Sequence, residues 1–197
     1  MSYDRRDFLT LAGTALGALW LGADPRALRA SLTRARDARE ALARGDAPPP
    51  FEVLTPEQAA DLEAIAARII PTDDLPGARE ARAVNFIDHG LATWAADRRQ
   101  DLLDGHAAFA TAITQRHGAT QRFADLSETQ QDEFLAVHED DDFFEDMLFF
   151  AVAGTFSYPD WGGNYQGAGW KILGFDDRYI WQPPFGWYDA KQNGGPN

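Results

Sequence analysis

The stretch "FFAVAGTFSYPDWGGNYQGAGWKILGF", residues Phe149–Phe175, decides how the chain is organised because its pattern changes partway along. Up to Gly154 it continues an apolar helical pattern. From Phe156 onward glycine, proline and aromatic residues take over, and no helical period remains. Side chains such as Trp161 and Trp170 would expose large apolar areas if the segment were unattached, and burying one such ring is worth about 2 kcal/mol. We therefore expect this segment, called the strap below (residues 156–175), to wrap the chain's own body, to pack on another protein, or to do both.

Before the strap, apolar residues recur at helical spacing from Phe51 onward. Thr55 with Gln58, and Ser127 with Gln130, predict two capped helix starts. The predicted shared or inward faces are Leu62, Ile65, Ala66 and Ile69; Val84, Ile87 and Leu91 on a helix from about Ala78; and Leu102, His106, Phe109 and Ile113 on a helix near Asp97–His117. The helix that Ser127 and Gln130 cap runs through Phe134, Val137 and His138, and a further helix that Asp142 and Glu145 start runs through Phe144, Met147, Leu148 and Ala151. No alternating strand pattern is convincing. The sequence predicts an all-α fold, a helical bundle of four or five helices with a long irregular, aromatic and glycine-rich C-terminal segment.

Charge and composition divide the chain into regions. The 197 residues carry a net charge of -13, yet residues 1–44 hold eight arginines and five acids. We expect a signal segment over residues 1–30, a polar helix and proline-rich linker over residues 31–50, and a helical domain with the strap over residues 51–197. The acidic balance argues against nucleic acid as a partner. The chain has no cysteine, so it can hold no disulfide, c-type haem attachment or cysteine-ligated cluster.

The N-terminus has the architecture of an export signal. Arg5 and Arg6 stand before an apolar run, Phe8–Ala23. This run is too short, and too rich in glycine and threonine, to predict a membrane-spanning helix. Together Arg5, Arg6, Phe8 and Leu9 resemble the twin-arginine export signal. The alternative is an ordinary amphipathic first helix. The end of the apolar run is a mediocre cleavage site, so retention of the segment as a membrane anchor is a further alternative.

The residues that could carry chemistry form no known constellation. "HEDDDFFED" at His138–Asp146 lacks the central glycine of a calcium loop and predicts a solvated helix junction. The histidines are widely separated, and His106 and His138 share faces with apolar residues, which predicts core or boundary positions. "GGNYQGAG" at Gly162–Gly169 matches neither phosphate-binding loop. We expect no catalytic residue, cofactor-binding residue or metal ligand in this chain. An independent exported enzyme or sugar-binding module, with tryptophan and asparagine as sugar contacts, is the alternative.

Two stretches resemble the gluconate 2-dehydrogenase subunit 3 family. They are "IIPTDDLPGAREARAVNFID" at Ile69–Asp88 and the opening stretch at Phe149–Phe175, behind a twin-arginine start. The resemblance covers residues 1–20 and 51–175. It departs from the family where Trp161 replaces a common tyrosine and where Ala153-Gly154 stand in place of a frequent arginine.

The resemblance implies a non-catalytic small subunit without a cofactor of its own. Its partner would be a large subunit of the glucose-methanol-choline oxidoreductase type, which holds FAD and oxidises a sugar or alcohol. A cytochrome c subunit, or an iron–sulfur cluster in the large subunit, would accept the electrons. The small subunit would stabilise the flavoprotein and escort it through the twin-arginine translocase to the periplasm. The strap would then be a partner interface, or else would only close the chain's own core. The interface residues that this implies are Tyr158, Pro159, Trp161, Gly162, Gly163, Asn164, Trp170 and Lys171.

Overall fold

The computed structural model describes residues 24–44, 50–175 and 177, and within these ranges the chain is helical without a strand. The all-α prediction is confirmed. The described helices are α1 (Pro25–Ala43), α2 (Pro56–Ile69), α3 (Ala83–Ala92), α4 (Arg99–His117), α5 (Glu128–Val137), α6 (Asp142–Phe156) and α7 (Ala168–Ile172). Short 3₁₀ turns occupy Ala96–Arg98, Phe123–Asp125, Pro159–Trp161 and Tyr165–Gly167. The predicted bundle corresponds to α2–α6, with α1 before it. The segment predicted to be irregular contains two of the 3₁₀ turns and α7. The predicted signal residues Arg5, Arg6, Phe8 and Leu9, and linker residues 45–49, lie outside the described residues.

Both predicted capping boxes are present. The Gln58 backbone N–H donates to Thr55 Oγ1 at 3.2 Å, and the Thr55 N–H donates to Gln58 Oε1 at 2.9 Å. At the start of α5, the Gln130 N–H donates to Ser127 Oγ at 3.4 Å and the Ser127 N–H to Gln130 Oε1 at 3.1 Å. These contacts satisfy N–H groups that have no partner inside the helix. They were predictable because both partners lie within one turn of each other.

The helix predicted from Ala78 begins instead at Ala83, so this part of the prediction is wrong. Residues 78–82 form a turn that ends with Arg82 in the left-handed conformation, at φ 54°. The carboxylate of Glu80 holds this turn, because it accepts hydrogen bonds from the Gly77 N–H at 2.8 Å and from the Thr72 hydroxyl. The bond from Thr72 lowers the pKa of Glu80. A side chain that binds the preceding loop competes with helix formation.

The predicted solvated junction around "HEDDDFFED" joins α5 to α6, with two differences from the sequence prediction. Asp141, not Asp142, occupies the cap position of α6, and its carboxylate accepts no capping bond but pairs with His138 Nδ1 at 2.7 Å. Val137, one of the apolar residues of the predicted helix, is 67% exposed. His138 does lie at the core boundary, as predicted, and stacks on Phe134 with ring centroids 4.5 Å apart.

The core lies around α6, which packs against α2, α3 and α4. The four residues predicted to share the inner face of α4 are all buried: Leu102, His106, Phe109 and Ile113. Phe109 is the centre of an aromatic cluster. Its ring centroid lies 5.4 Å from Phe123, 5.0 Å from Phe134 and 5.2 Å from Phe143. These edge and tilted contacts are the favoured geometries of aromatic pairs.

Helix α1 packs against α3 and the 3₁₀ turn at Pro159–Trp161. Leu28 and Leu32 lie against the core, and Ala35 is buried. Two ion pairs add to the contact, Arg34 to Glu52 at 3.0 Å and Arg36 to Asp160 at 3.5 Å. Since three of the four paired side chains are at least 40% exposed, the apolar contacts supply most of the attachment. None of the helices in the described ranges combines the length and the apolar character that a membrane-spanning segment needs.

Replacing Phe109 with alanine should lower the free energy of unfolding by about 3–5 kcal/mol, because the change leaves a cavity among the rings of Phe123, Phe134 and Phe143. Val137→Ala is the control on α5, where removal of an exposed side chain should change stability by less than about 0.5 kcal/mol. Urea unfolding followed by circular dichroism measures both. Equal effects of the two substitutions would contradict the packing described here.

Candidate functional site

The two stretches that carry the family resemblance meet in space. The Tyr165 N–H donates to the carbonyl oxygen of Ala81 at 3.1 Å. The guanidinium of Arg82 lies 3.9 Å from the centroid of the Tyr165 ring, a cation–π contact. Gly154 lies against Ala83, so closely that a Cβ on this glycine would come within 3.0 Å of the Ala83 backbone. The turn before α3 and the strap therefore form one continuous structure at the C-terminal end of α6.

Asn164 holds the strap to α6. It is fully buried and adopts the left-handed conformation at φ 45°, which asparagine tolerates better than most residues. Its backbone N–H donates to the Gly154 carbonyl at 2.7 Å, its Nδ2 donates to the Ser157 carbonyl at 2.8 Å, and its Oδ1 accepts from the Gly169 N–H at 2.9 Å. One side chain thus links the end of α6 to the first turn of α7.

Two glycines let the strap lie directly on the backbone of α6. A Cβ on Gly163 would overlap the Gly154 carbonyl oxygen, and a Cβ on Gly169 would overlap the Thr155 carbonyl oxygen. No side chain larger than hydrogen can occupy either position without moving the backbone. The positions of these glycines therefore follow from contact with the backbone of α6.

Beyond this contact the strap exposes a cluster of apolar side chains, which we call the strap patch: Tyr158, Trp170, Leu173 and Phe175. Tyr158, Leu173 and Phe175 are 49%, 52% and 50% exposed. The Trp170 ring lies between two of them, 5.6 Å from Tyr158 and 5.3 Å from Phe175. Its Nε1 donates to the Phe156 carbonyl at 3.2 Å, which fixes the ring on the end of α6. Exposed aromatic clusters on a rigid base are typical of protein interfaces.

The structure divides the predicted interface residues into two groups. Trp161, Gly163 and Asn164 are buried inside this chain and pack the strap on its own body. The others retain accessible surface: Tyr158 and Lys171 are exposed, and Pro159, Gly162 and Trp170 are partly buried. Contact of this second group with a partner stays a prediction. Leu173 and Phe175 were not among the predicted residues, although their apolar character within the quoted stretch was a signal for them.

Asp88, the last residue of the first motif, is a buried carboxylate that the sequence did not single out. It is 2% exposed and accepts backbone N–H bonds from Glu52, Val53 and Leu54 at 2.9, 2.9 and 3.0 Å. Three such bonds offset the loss of hydration of the carboxylate. Asp88 therefore attaches the segment that precedes α2 to the middle of α3.

A second buried carboxylate, Asp61, pairs with His106. His106 Nε2 lies 3.2 Å from Asp61 Oδ2, and Asp61 Oδ1 accepts the Ala124 N–H at 3.0 Å. Both side chains are at most 10% exposed. His106 is a core histidine, as predicted. Asp61, which lies on α2, connects this helix to α4 through His106 and to the turn at Phe123–Asp125 through Ala124. With so little solvent access, we assign this pair to the packing of the helices.

His89 lies beneath the first turn of the strap with its Nδ1 unpartnered. Gly162, at φ 98°, lies directly on the ring, and a Cβ there would come within 2.5 Å of His89 Cδ2. Burial lowers the pKa of His89, against the opposing influence of Asp88 and Glu52. Across the described ranges, no three histidine, aspartate or glutamate side chains are grouped as metal ligands.

The comparison with protein families identifies the same relationship as the two motifs. The model of the family described as gluconate 2-dehydrogenase subunit 3 matches residues 56–176 of the 197. The match begins with α2 and ends at the strap patch, so it includes both motifs and the Asn164 contact. No curated protein and no solved structure matched the chain.

Gly163→Ala should lower the free energy of unfolding by more than about 3 kcal/mol, because the added methyl group overlaps backbone and not a movable side chain. Gly174→Ala is the matched control. Unlike Gly163 it has a positive φ, of 64°, and it faces open space, so backbone strain alone should cost about 1 kcal/mol. Thermal unfolding of both variants separates the steric effect from the backbone-angle effect. Equal losses of stability in Gly163→Ala and Gly174→Ala would contradict close packing of the strap on α6.

His89→Leu should make folding less sensitive to acid. In the unfolded chain His89 titrates near pH 6.5, while burial lowers its pKa in the folded chain. As pH falls below 6.5, the unfolded state takes up a proton that the folded state excludes, so the wild type loses up to about 1.4 kcal/mol per pH unit until the folded pKa is reached. Urea unfolding at pH 7.5, 6.5 and 5.5 should show the stability of the wild type falling relative to His89→Leu. If the difference in free energy of unfolding between the two proteins were the same at all three pH values, His89 would not be buried in its neutral form.

Proposed function

Because the chain belongs to the gluconate 2-dehydrogenase subunit 3 family, we propose that it is the non-catalytic small subunit of a periplasmic FAD-dependent sugar or alcohol dehydrogenase complex. The FAD belongs to a large subunit of the glucose-methanol-choline oxidoreductase type, which oxidises the alcohol carbon. Electrons pass to haem c in a cytochrome subunit or to an iron–sulfur cluster in a partner. The small subunit stabilises the flavoprotein and acts as its chaperone during export.

The observation that carries this proposal is the strap patch. Tyr158, Leu173 and Phe175 are each about half exposed, and water-exposed apolar area of this kind gains free energy when another protein covers it. The patch is held in position by Trp170 and, through Asn164, by α6. A preorganised surface loses little conformational entropy on binding. Lys171, exposed beside Trp170, supplies a charge at the rim of this interface.

The use of polar residues supports a role through contact more than through catalysis. The buried carboxylates Asp88 and Asp61 and the buried Asn164 are each engaged by backbone groups of their own chain. They hold segments together and are closed off from solvent. The chain has no cysteine to attach haem or a cluster, so these electron carriers belong to partners.

Export by the twin-arginine pathway is supported by Arg5 and Arg6 in front of the apolar run, together with Phe8 and Leu9. This pathway carries folded proteins, as the resemblance implies. A small subunit bound through its strap patch could therefore bring a large subunit that has already taken up FAD. The periplasmic location of both subunits follows from the same signal.

Replacing Leu173 and Phe175 together with serine should reduce the amount of flavoprotein that co-purifies with the tagged chain at least tenfold, because it removes two apolar anchors of the interface (about 2 kcal/mol or more). Val137→Ser, at an apolar position on α5 that is even more exposed, should leave co-purification unchanged. Flavin absorbance of the purified complex is the measurement. Undiminished flavin in the double variant would refute the proposed interface, and sugar binding by the isolated chain in calorimetry would favour an independent binding module.

Changing Arg5 and Arg6 to lysine should retain both subunits in the cytoplasm, since the arginine pair is the feature that the translocase reads. Immunoblots of periplasmic and cytoplasmic fractions measure this for each subunit. Arg26→Lys and Arg29→Lys, in α1 after the apolar run, are the matched controls and should not change the distribution. If the large subunit still reached the periplasm in the Arg5/Arg6 variant, the escort role would be wrong.

A further inference from the structure

A groove opens between the end of α2 and the facing sides of α5 and α6. Its volume is about 300 Å³, which is at the lower end of the range for ligand pockets and leaves room for a few apolar side chains. Most of its lining is apolar. The apolar lining residues are Ile69, Leu135, Ala136, Phe144 and Leu148. The groove runs along the first half of α6, whereas the strap patch lies beyond the C-terminal end of that helix, so the two surfaces are distinct.

The rim of the groove is acidic. Arg68 is its one basic lining residue, and its charge is already matched. It donates two hydrogen bonds to Asp132 at 2.7 and 2.8 Å and lies 3.1 Å from Glu128. Glu139 also lines the groove and is exposed. Arg68 is therefore outnumbered by three acids, Glu128, Asp132 and Glu139. The acidic junction at residues 139–142 comes shortly after α5 in the chain.

We propose that this groove binds an amphipathic helix of a partner protein that presents large apolar side chains flanked by lysine or arginine. A groove between helices with an apolar floor fits the apolar face of a helix. The acids at the rim favour basic flanks, because an acidic segment would place like charges together and an uncharged one would remove water from Glu139 without supplying an opposite charge. The proposal concerns this groove alone and holds whichever protein covers the strap patch.

The test uses the full-length chain in its native cells with a photo-crosslinking benzophenone amino acid at Ala136, which is exposed at the groove. The matched control carries the same amino acid at Thr129, an exposed position on the same helix that does not line the groove. After irradiation, mass spectrometry identifies the crosslinked peptide. We expect the Ala136 position, and not Thr129, to crosslink to a peptide with apolar residues at helical spacing and at least two flanking basic residues.

Charge reversal distinguishes specific docking from chance proximity. In the chain that carries the crosslinker at Ala136, Glu139→Lys should reduce the yield of that peptide at least about fivefold. Glu133→Lys makes the same charge change at an exposed position of α5 outside the groove and should leave the yield unchanged. Circular dichroism of each variant verifies that it folds. No crosslink above the Thr129 control, a crosslinked peptide that is acidic or comes from this chain itself, or equal effects of the two reversals would each overturn the proposal.

Discussion

The hydrogen bond from the Asn164 backbone to the Gly154 carbonyl is the constraint on which the rest of the strap depends. It brings the chain so close to the last turns of α6 that positions 163 and 169 can hold only glycine. The Asn164 side chain then uses its donor and its acceptor on Ser157 and Gly169. Because Asn164, Gly154 and Gly169 are buried, loss of the bonds between them would leave unsatisfied polar groups. The orientation of the strap patch follows from this contact.

The same principle attaches the other irregular segments to the bundle. Asp88 binds three consecutive N–H groups before α2, Asp61 binds the turn at Phe123–Asp125, and Glu80 binds the loop before α3. In each case a carboxylate replaces the partners that secondary structure would otherwise supply. A buried carboxylate with several N–H donors is stable without a catalytic role. Asp88, Asp61 and Glu80 thereby hold irregular segments against the helices.

The surface supports a different role. The strap patch presents aromatic side chains on a base fixed to α6, and the groove along α5 and α6 presents an apolar floor with an acidic rim. The two surfaces differ in chemistry, since one lies beside Lys171 and the other beside Glu139. Membership of a family of dehydrogenase subunits gives both surfaces a context. The proposed role through contact would need positioned apolar area more than reactive groups.

Local interactions let the sequence determine the helical class, the capping boxes at Thr55 and Ser127 and the buried face of α4, because each involves residues within a few turns of one another. The same reasoning missed the late start of α3, where Glu80 binds the preceding loop, and the helix α7, which Asn164 supports from the strap. Nor did it determine which strap residues are buried: Trp161 is buried and Phe175 is half exposed, and the turn that holds Trp161 packs against α1. Only the tertiary structure settled these features, because their hydrogen bonds and contacts join residues that are distant in the chain and leave no periodic pattern in the sequence.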